Sequence, residues 1–192
     1  MQEASDIELI TGVQHGNHHA FQSLVVKYQQ FAFAVAYRFV GNSMEAEDIT
    51  QEVFLKLWKN IGKYNPGNKL TTWLYQIITN HCLDHLKSVS RRQQMKSVTI
   101  NPGLSVTEET AHEKQMDDRE MLQIITALAR HLTPKQQSVF VLRDLEGLSV
   151  EAVCDIMGMK ADTVKSNLYY ARLKIREGLI KYYSESPKLV SP

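Results

Sequence analysis

Apolar residues recur at helical spacing along almost the whole chain, and no stretch alternates apolar and polar residues as a half-buried strand would. Phe21, Leu24, Val25, Tyr28, Ala32, Val35 and Phe39 fall on one helix face, which Gly41-Asn42-Ser43 ends. Ala46, Ile49, Val53, Leu57 and Ile61 trace a second face, stopped by Asn65-Pro66-Gly67-Asn68. Leu70, Leu74, Ile77, Ile78, His81 and Leu86 make a third. From Val89 to Asp118 the periodicity fails; the stretch is polar and holds Pro102-Gly103, the composition of a linker.

Helical spacing resumes at Met121. Thr133-Pro134-Lys135-Gln136 predicts a helix start, with a threonine cap, a proline at the first position and a glutamine closing the capping box. Gly147 breaks the chain, Ser149 caps a short helix to Met157, Gly158 makes a tight turn, and a longer helix is predicted from Ala161 to Tyr182. Two helices joined by a glycine turn, the second basic, form a helix-turn-helix. The pattern predicts an all-α chain of two small helical domains on a flexible linker, moving independently. The first spans residues 1–88, the linker 89–118, the second domain 119–184 and a tail 185–192.

Composition narrows the class. No apolar run approaches the roughly 20 residues that a membrane-spanning helix needs, and the acidic, polar start does not read as a signal peptide. Cys82 and Cys154 lack the spacing of a zinc ribbon or a redox pair and fit reduced thiols of a cytoplasmic protein. The formal net charge of +1 conceals an asymmetry. Residues 160–181 carry Lys160, Lys165, Arg172, Lys174, Arg176 and Lys181 against only Asp162 and Glu177, whereas 45–52 carries Glu45, Glu47, Asp48 and Glu52 with no basic residue. One helix is built for an anion and another for a different partner.

Helices advance about 100° per residue, so faces follow from position. On the helix predicted over 44–61, Asp48, Glu52 and Lys59 lie opposite the apolar arc with Leu55 among them. Single exposed leucines are common, but an apolar centre ringed by charge also suits docking of a basic partner helix. On 70–87, Gln76, Asn80, Asp84 and Lys87 line a stripe that Trp73 begins. Amides reach base edges and an indole offers a surface to an unstacked base, although Trp73 taken alone reads more readily as core. On 161–181, Val164, Leu168, Ala171, Ile175 and Leu179 face inward, while Lys165, Tyr169, Arg172 and Arg176 project together beside Asp162 and Ser166. On the second helix of a helix-turn-helix, early residues reach base edges and later ones lie along phosphates.

At these residues the chain resembles the sigma factors of the extracytoplasmic-function (ECF) group, the smallest class of the sigma-70 family. Ala46-Glu47-Asp48-Ile49-Thr50-Gln51-Glu52-Val53-Phe54-Leu55 resembles region 2.2, and Thr72-Trp73-Leu74-Tyr75-Gln76-Ile77, with Asn80 and Leu86-Lys87, resembles regions 2.3 and 2.4. Leu142-Arg143-Asp144-Leu145-Glu146-Gly147-Leu148-Ser149, with Thr163-Val164-Lys165-Ser166 and Ala171-Arg172, resembles region 4. The resemblance runs from Ile7 to Lys181 with both regions in the family's order. It implies a transcription initiation factor whose residues 1–88 are region 2 and 119–184 region 4. Asp48, Gln51, Glu52 and Leu55 would then bind core RNA polymerase at its β′ clamp helices, with the β flap contacting region 4. Trp73, Gln76, Asn80, Asp84 and Lys87 would meet the −10 promoter DNA, and the loop 62–69 would form part of a pocket for a flipped base. Thr163, Lys165, Ser166, Tyr169, Arg172 and Arg176 would meet the −35 DNA. An anti-sigma factor is a further partner common in the family; no cofactor and no membrane insertion are implied. Leu70 stands where the family often has phenylalanine; Asn167 and Tyr170 stand where it often has arginine, and these two missing cations should weaken phosphate anchoring of the second domain and bear on its −35 preference.

Two other classes are weighed against this. His81, Asp84 and His85 have the i, i+3, i+4 spacing of a metal site, but both histidines fall on the apolar face, and no phosphate loop or nucleophile motif accompanies them. The chain is therefore read as no enzyme. A stand-alone helix-turn-helix regulator, usually dimeric on a palindrome, accounts for the basic helix and leaves the other two faces without a role.

Overall fold

The computed structural model of the 192-residue chain describes residues 5–67, 69–95 and 118–185. Helices α1 (Asp6–Gln14), α2 (His18–Val40), α3 (Ser43–Asn60) and α4 (Leu70–Met95) form an N-terminal bundle. Helices α5 (Asp118–Ala129), α6 (Pro134–Phe140), α7 (Val150–Met157) and α8 (Ala161–Glu185) form a C-terminal one. No strand occurs among the described residues.

Local chemistry sets the helix ends. Ser5 and Glu8 close a capping box on α1, Asn17 accepts from the His19 and Ala20 N–H groups at the start of α2, and Asn42 accepts from Glu45 at the start of α3. Gly41 stops α2 in the left-handed region at φ 65°, with its N–H on the Tyr37 carbonyl. The capping box of Thr133 and Gln136 forms as the sequence predicts, with Pro134 in the first turn. So does the Ser149 cap, and Gly158 turns between α7 and α8 at φ 62°. A π-helical turn, Val141–Leu145, follows α6, with the Glu146 N–H bonded to the Val141 carbonyl at 2.9 Å.

The N-terminal core encloses Leu24, Val35, Phe39, Val53, Leu57, Leu74 and Ile78, all essentially sealed from solvent. Each such side chain contributes on the order of 1.5–3 kcal/mol by leaving water. Helix α1 joins this bundle through buried Leu9, Ile10 and Val13, and through Asp6, which accepts from Lys27 Nζ at 2.8 Å and from Tyr28 Oη at 2.6 Å.

Two differences from the sequence expectations stand out. Helix α4 continues to Met95, beyond the residue-88 boundary where periodicity fails, since no glycine or proline interrupts residues 70–95. An apolar stripe reports a buried face, not the length of the helix that carries it. The rest of the expected linker, 96–117, and the expected tail beyond residue 185 lie outside the described residues. The second difference bears on the expectation that the two domains move independently: the bundles touch. Helix α4 packs against α6 and α7, and α2 against α5. Val139, Val141, Leu142, Val153, Ile156, Val164 and Leu168 share one continuous core with the N-terminal bundle. Buried Gln137 donates its Nε2 to the Phe39 carbonyl at 2.7 Å, supplying a partner at the C-terminus of α2. The cause is apolar surface on α6 and α7 that the small C-terminal bundle does not cover by itself.

Candidate functional site

Three surfaces collect the residues singled out by sequence. On α3, Asp48, Gln51, Glu52 and Leu55 are all exposed, while Ala46, Ile49, Val53 and Leu57 on the other side are buried. Leu55 is 51% exposed, so it is not a core residue. Met44, 75% exposed, was not legible as part of this surface. It lies eleven residues before Leu55, which returns a helix to within about 20° of the same direction. That spacing was the available signal. The result is an acidic stripe that carries two exposed apolar residues, Met44 and Leu55.

On α4 the five candidate residues divide. Asn80, Asp84 and Lys87 are exposed, with Lys87 Nζ 3.4 Å from the Asp84 carboxylate. Trp73 is half-buried, packed on the core, and its ring lies 5.4 Å from that of Tyr64 in the preceding loop. Gln76 is engaged elsewhere: its Nε2 donates to the Asp155 carbonyl of α7 at 3.0 Å. In the loop, Asn65 Oδ1 accepts from the Gly67 N–H at 2.9 Å, and Asn68 lies outside the described residues.

The histidines with metal-like spacing turn to other partners. His81 Nδ1 sits 2.6 Å from Lys56 Nζ, and His85 Nε2 lies 3.2 Å from Glu45. Burial first, and then the Lys56 ammonium, hold the His81 pKa below its usual value, so Nδ1 acts as the acceptor of a neutral ring. A neighbouring ammonium also repels a metal cation. Among the described residues no group of three or more His, Cys, Asp or Glu gathers as a metal site.

On α8, Thr163, Lys165, Ser166, Tyr169, Arg172 and Arg176 are all exposed, and Val164, Leu168, Ala171 and Ile175 are buried behind them. Lys165, Tyr169, Arg172 and Arg176 line one shallow groove together with Leu168 and Leu173. Arg172 is held by Asp144 of the π-helical turn through two bonds of 2.8 and 2.6 Å, and this pairing raises its pKa. The Ser166 hydroxyl donates to the Thr163 carbonyl at 3.1 Å. Tyr170, at a position where the resemblance expects a cation, is exposed and packs edge-on against Tyr169 with centroids 5.4 Å apart. Tyr170 and Leu173 add apolar area that the charge pattern alone did not reveal.

An acidic stripe on α3, a polar stripe on α4 and a basic face on α8 thus occur on one chain in sequence order. Residues 24–92 match the sequence model of Sigma-70 region 2, and residues 122–175 match that of Sigma-70, region 4. The RNA polymerase sigma-H factor of Pseudomonas aeruginosa is 31% identical over 93% of this chain and 96% of its own length. The ECF RNA polymerase sigma-E factor of Escherichia coli K12 is 29% identical over 89% of this chain and 92% of its own. The sigma factor RpoE of Bartonella quintana, solved in complex with the anti-sigma factor NepR, superposes with a TM-score of 0.63. It is 25% identical, covering 83% of this chain and 96% of that one.

The chain belongs to the sigma-70 family of RNA polymerase sigma factors. Within it the chain is of the ECF type, a transcription initiation factor that directs RNA polymerase to promoters and not an enzyme. The region 2 match covers the half that a stand-alone helix-turn-helix regulator leaves without a role. No helix among the described residues is long and apolar enough to cross a membrane.

Proposed function

We propose that the three surfaces divide the work of initiation in the cytoplasm. Core RNA polymerase docks through its β′ clamp helices on Asp48, Gln51, Glu52 and Leu55, and Met44 extends that contact. The observation that carries this reading is Leu55, half exposed among carboxylates on a helix whose opposite side is fully buried. An apolar centre within complementary charge is the pattern of a specific, desolvated contact.

The −10 element lies along α4, where Asn80, Asp84 and Lys87 are presented to solvent and Gln76 joins them once released from Asp155. Trp73, with Tyr64 beneath it, lines the place for an unstacked base; flipping one costs a few kcal/mol, offset by the many other contacts of the complex. The −35 element lies along α8, with Thr163, Lys165, Ser166 and Tyr169 towards base edges and Arg172 and Arg176 along phosphates. The β flap meets region 4 elsewhere. An anti-sigma protein is the regulatory partner that fits, since the similar Bartonella factor is held by one.

Reconstitution tests the reading. Core polymerase mixed with the purified chain should co-elute with it and give discrete transcripts from genomic DNA fragments, where either component alone gives none. A chain that ignores core enzyme, and instead binds duplex palindromes as a dimer, would overturn it.

A further inference from the structure

Three cations, Lys165, Arg172 and Arg176, line the groove of α8. Of these, only Arg172 forms a salt bridge with a described residue. Its Nε donates to Asp144 Oδ2 at 2.8 Å and its Nη2 to Asp144 Oδ1 at 2.6 Å. Asp144 is not on α8; it belongs to the π-helical turn Val141–Leu145 ahead of α7. That turn is firmly held. The Glu146 N–H bonds the Val141 carbonyl at 2.9 Å, the Leu148 N–H bonds the Leu142 carbonyl at 3.0 Å, and the Arg143 guanidinium donates to the Leu148 carbonyl. The Asp144 side chain is 21% exposed and that of Arg172 58% exposed, so the carboxylate lies behind the guanidinium as seen from solvent. A guanidinium carries five N–H donors in a rigid, planar fork. Asp144 takes the Nε–Nη2 edge, while Nη1 bonds no described residue, so the Nη1 end is the part left for a ligand. A pair this exposed adds little to stability; its effect is on where the guanidinium points.

We propose that Asp144 is a positioning residue for −35 DNA, fixing the Arg172 guanidinium so that its Nη1 end meets a backbone phosphate already ordered. The inference rests on the assignment of α8 to −35 DNA given above. Asp144 has two opposed effects on binding. By charge alone, a carboxylate near a phosphate repels DNA, and removing it strengthens binding. By orientation, it spares Arg172 the ordering cost that a free, rotamer-rich side chain meets on binding, and removing it weakens binding. The repulsion acts across solvent and is screened by salt, whereas the two charge-assisted bonds hold the guanidinium directly. Orientation wins, and the sign of the effect of removing Asp144 identifies it.

The test uses holoenzyme assembled with the full chain, on a promoter fragment found by reconstitution and on variants of its −35 sequence. Asp144→Ala should raise Kd about two- to tenfold, the cost of ordering one such side chain. The loss should be equal on every −35 variant, as for a phosphate contact, with the melting temperature of the free chain unchanged. In an Arg172→Ala background the same substitution should cost nothing further, since Asp144 acts through Arg172. Asp144→Glu, which can pair again, should recover most of the affinity. Should Asp144→Ala fold poorly, Asp144→Asn keeps the shape and one acceptor, and should weaken binding in the same direction by less. Equal or tighter binding by Asp144→Ala would overturn the proposal and leave Asp144 as a charge only. An undiminished loss in the Arg172→Ala background would also overturn it, since Asp144 would then act through the fold. The single cation variants separate this from the underlying assignment. If Arg172→Ala weakens binding and Asp144→Ala does not, the positioning role alone fails; if Lys165→Ala, Arg172→Ala and Arg176→Ala all leave binding unchanged, the assignment of α8 fails.

Discussion

The two bundles bury their apolar residues differently. The N-terminal bundle contributes the large buried side chains Phe39, Leu24, Leu57, Leu74 and Ile78 to a core that continues into the C-terminal helices. The C-terminal bundle keeps a smaller cluster to itself, Ala129, Leu132, Phe140, Ala171 and Ile175, and shares the rest of its apolar surface with its neighbour. A small helical unit has little interior for its surface, so the second bundle is stabilised partly by the first. The consequence bears on the proposed function: the N-terminal half presents its proposed docking face away from its core, while the dependent half engages Gln76 on α4.

The largest expected effect tests that sharing. Phe39 is completely buried and its carbonyl accepts from Gln137 of α6, so Phe39→Ala should cost about 3–5 kcal/mol. Thermal unfolding should remain one transition, moved down as a whole. Two separate transitions, only the first displaced, would show that the halves fold as independent units.

A smaller effect separates reading from anchoring on α8. Lys165 lies in the first half of the helix, and Arg176 makes no ion pair among the described residues. In holoenzyme, Lys165→Ala should cost about 1–3 kcal/mol on the preferred −35 sequence and relax preference at one position. Arg176→Ala should weaken all sequences alike and flatten the salt dependence, since fewer counterions are released. A panel of −35 variants at several salt concentrations checks both; equal loss on every promoter for Lys165→Ala would make that residue a positioning contact only.

Smaller again is the cap of α6, within the dependent half. Thr133→Ala removes the acceptor for the Gln136 N–H and should cost about 1 kcal/mol, read by chemical denaturation. No change in midpoint would show that α6 is held by packing alone.

The smallest concerns His81, in the N-terminal half. Its folded pKa lies below the ordinary 6.5, so the unfolded chain takes up the proton first. The contribution to stability is full above about pH 6.5 and is lost as pH falls from there through the folded pKa. A nuclear magnetic resonance titration should place the His81 midpoint below 6.5; a midpoint above that value would contradict the contact with Lys56.

Most of the architecture was legible because helical packing writes a periodic signature. The apolar faces of α2, α3 and α8, and the turn at Gly158, follow from spacing and caps alone. Helix α1 was not legible: nine residues with three buried ones are too short to show a face. The π-helical turn left no pattern, because Asp144 and Glu146 find their partners only in the tertiary structure. For the same reason the engagement of Gln76 by Asp155, and the contact between the bundles, could not be read from either bundle's periodicity. Periodicity reports which face is buried, not what buries it. Met44 is the instructive miss, since it stands on the Leu55 stripe but precedes the charged residues that drew attention to it.

The proposed polymerase contact on α3 uses a surface with no structural duty, and Leu55→Asp tests it most directly. Leu55 lies outside the buried arc, so the variant should keep native helicity and melting temperature, yet fail to co-elute with core RNA polymerase and support no promoter-dependent transcript. Native core binding by the folded variant would contradict the claim.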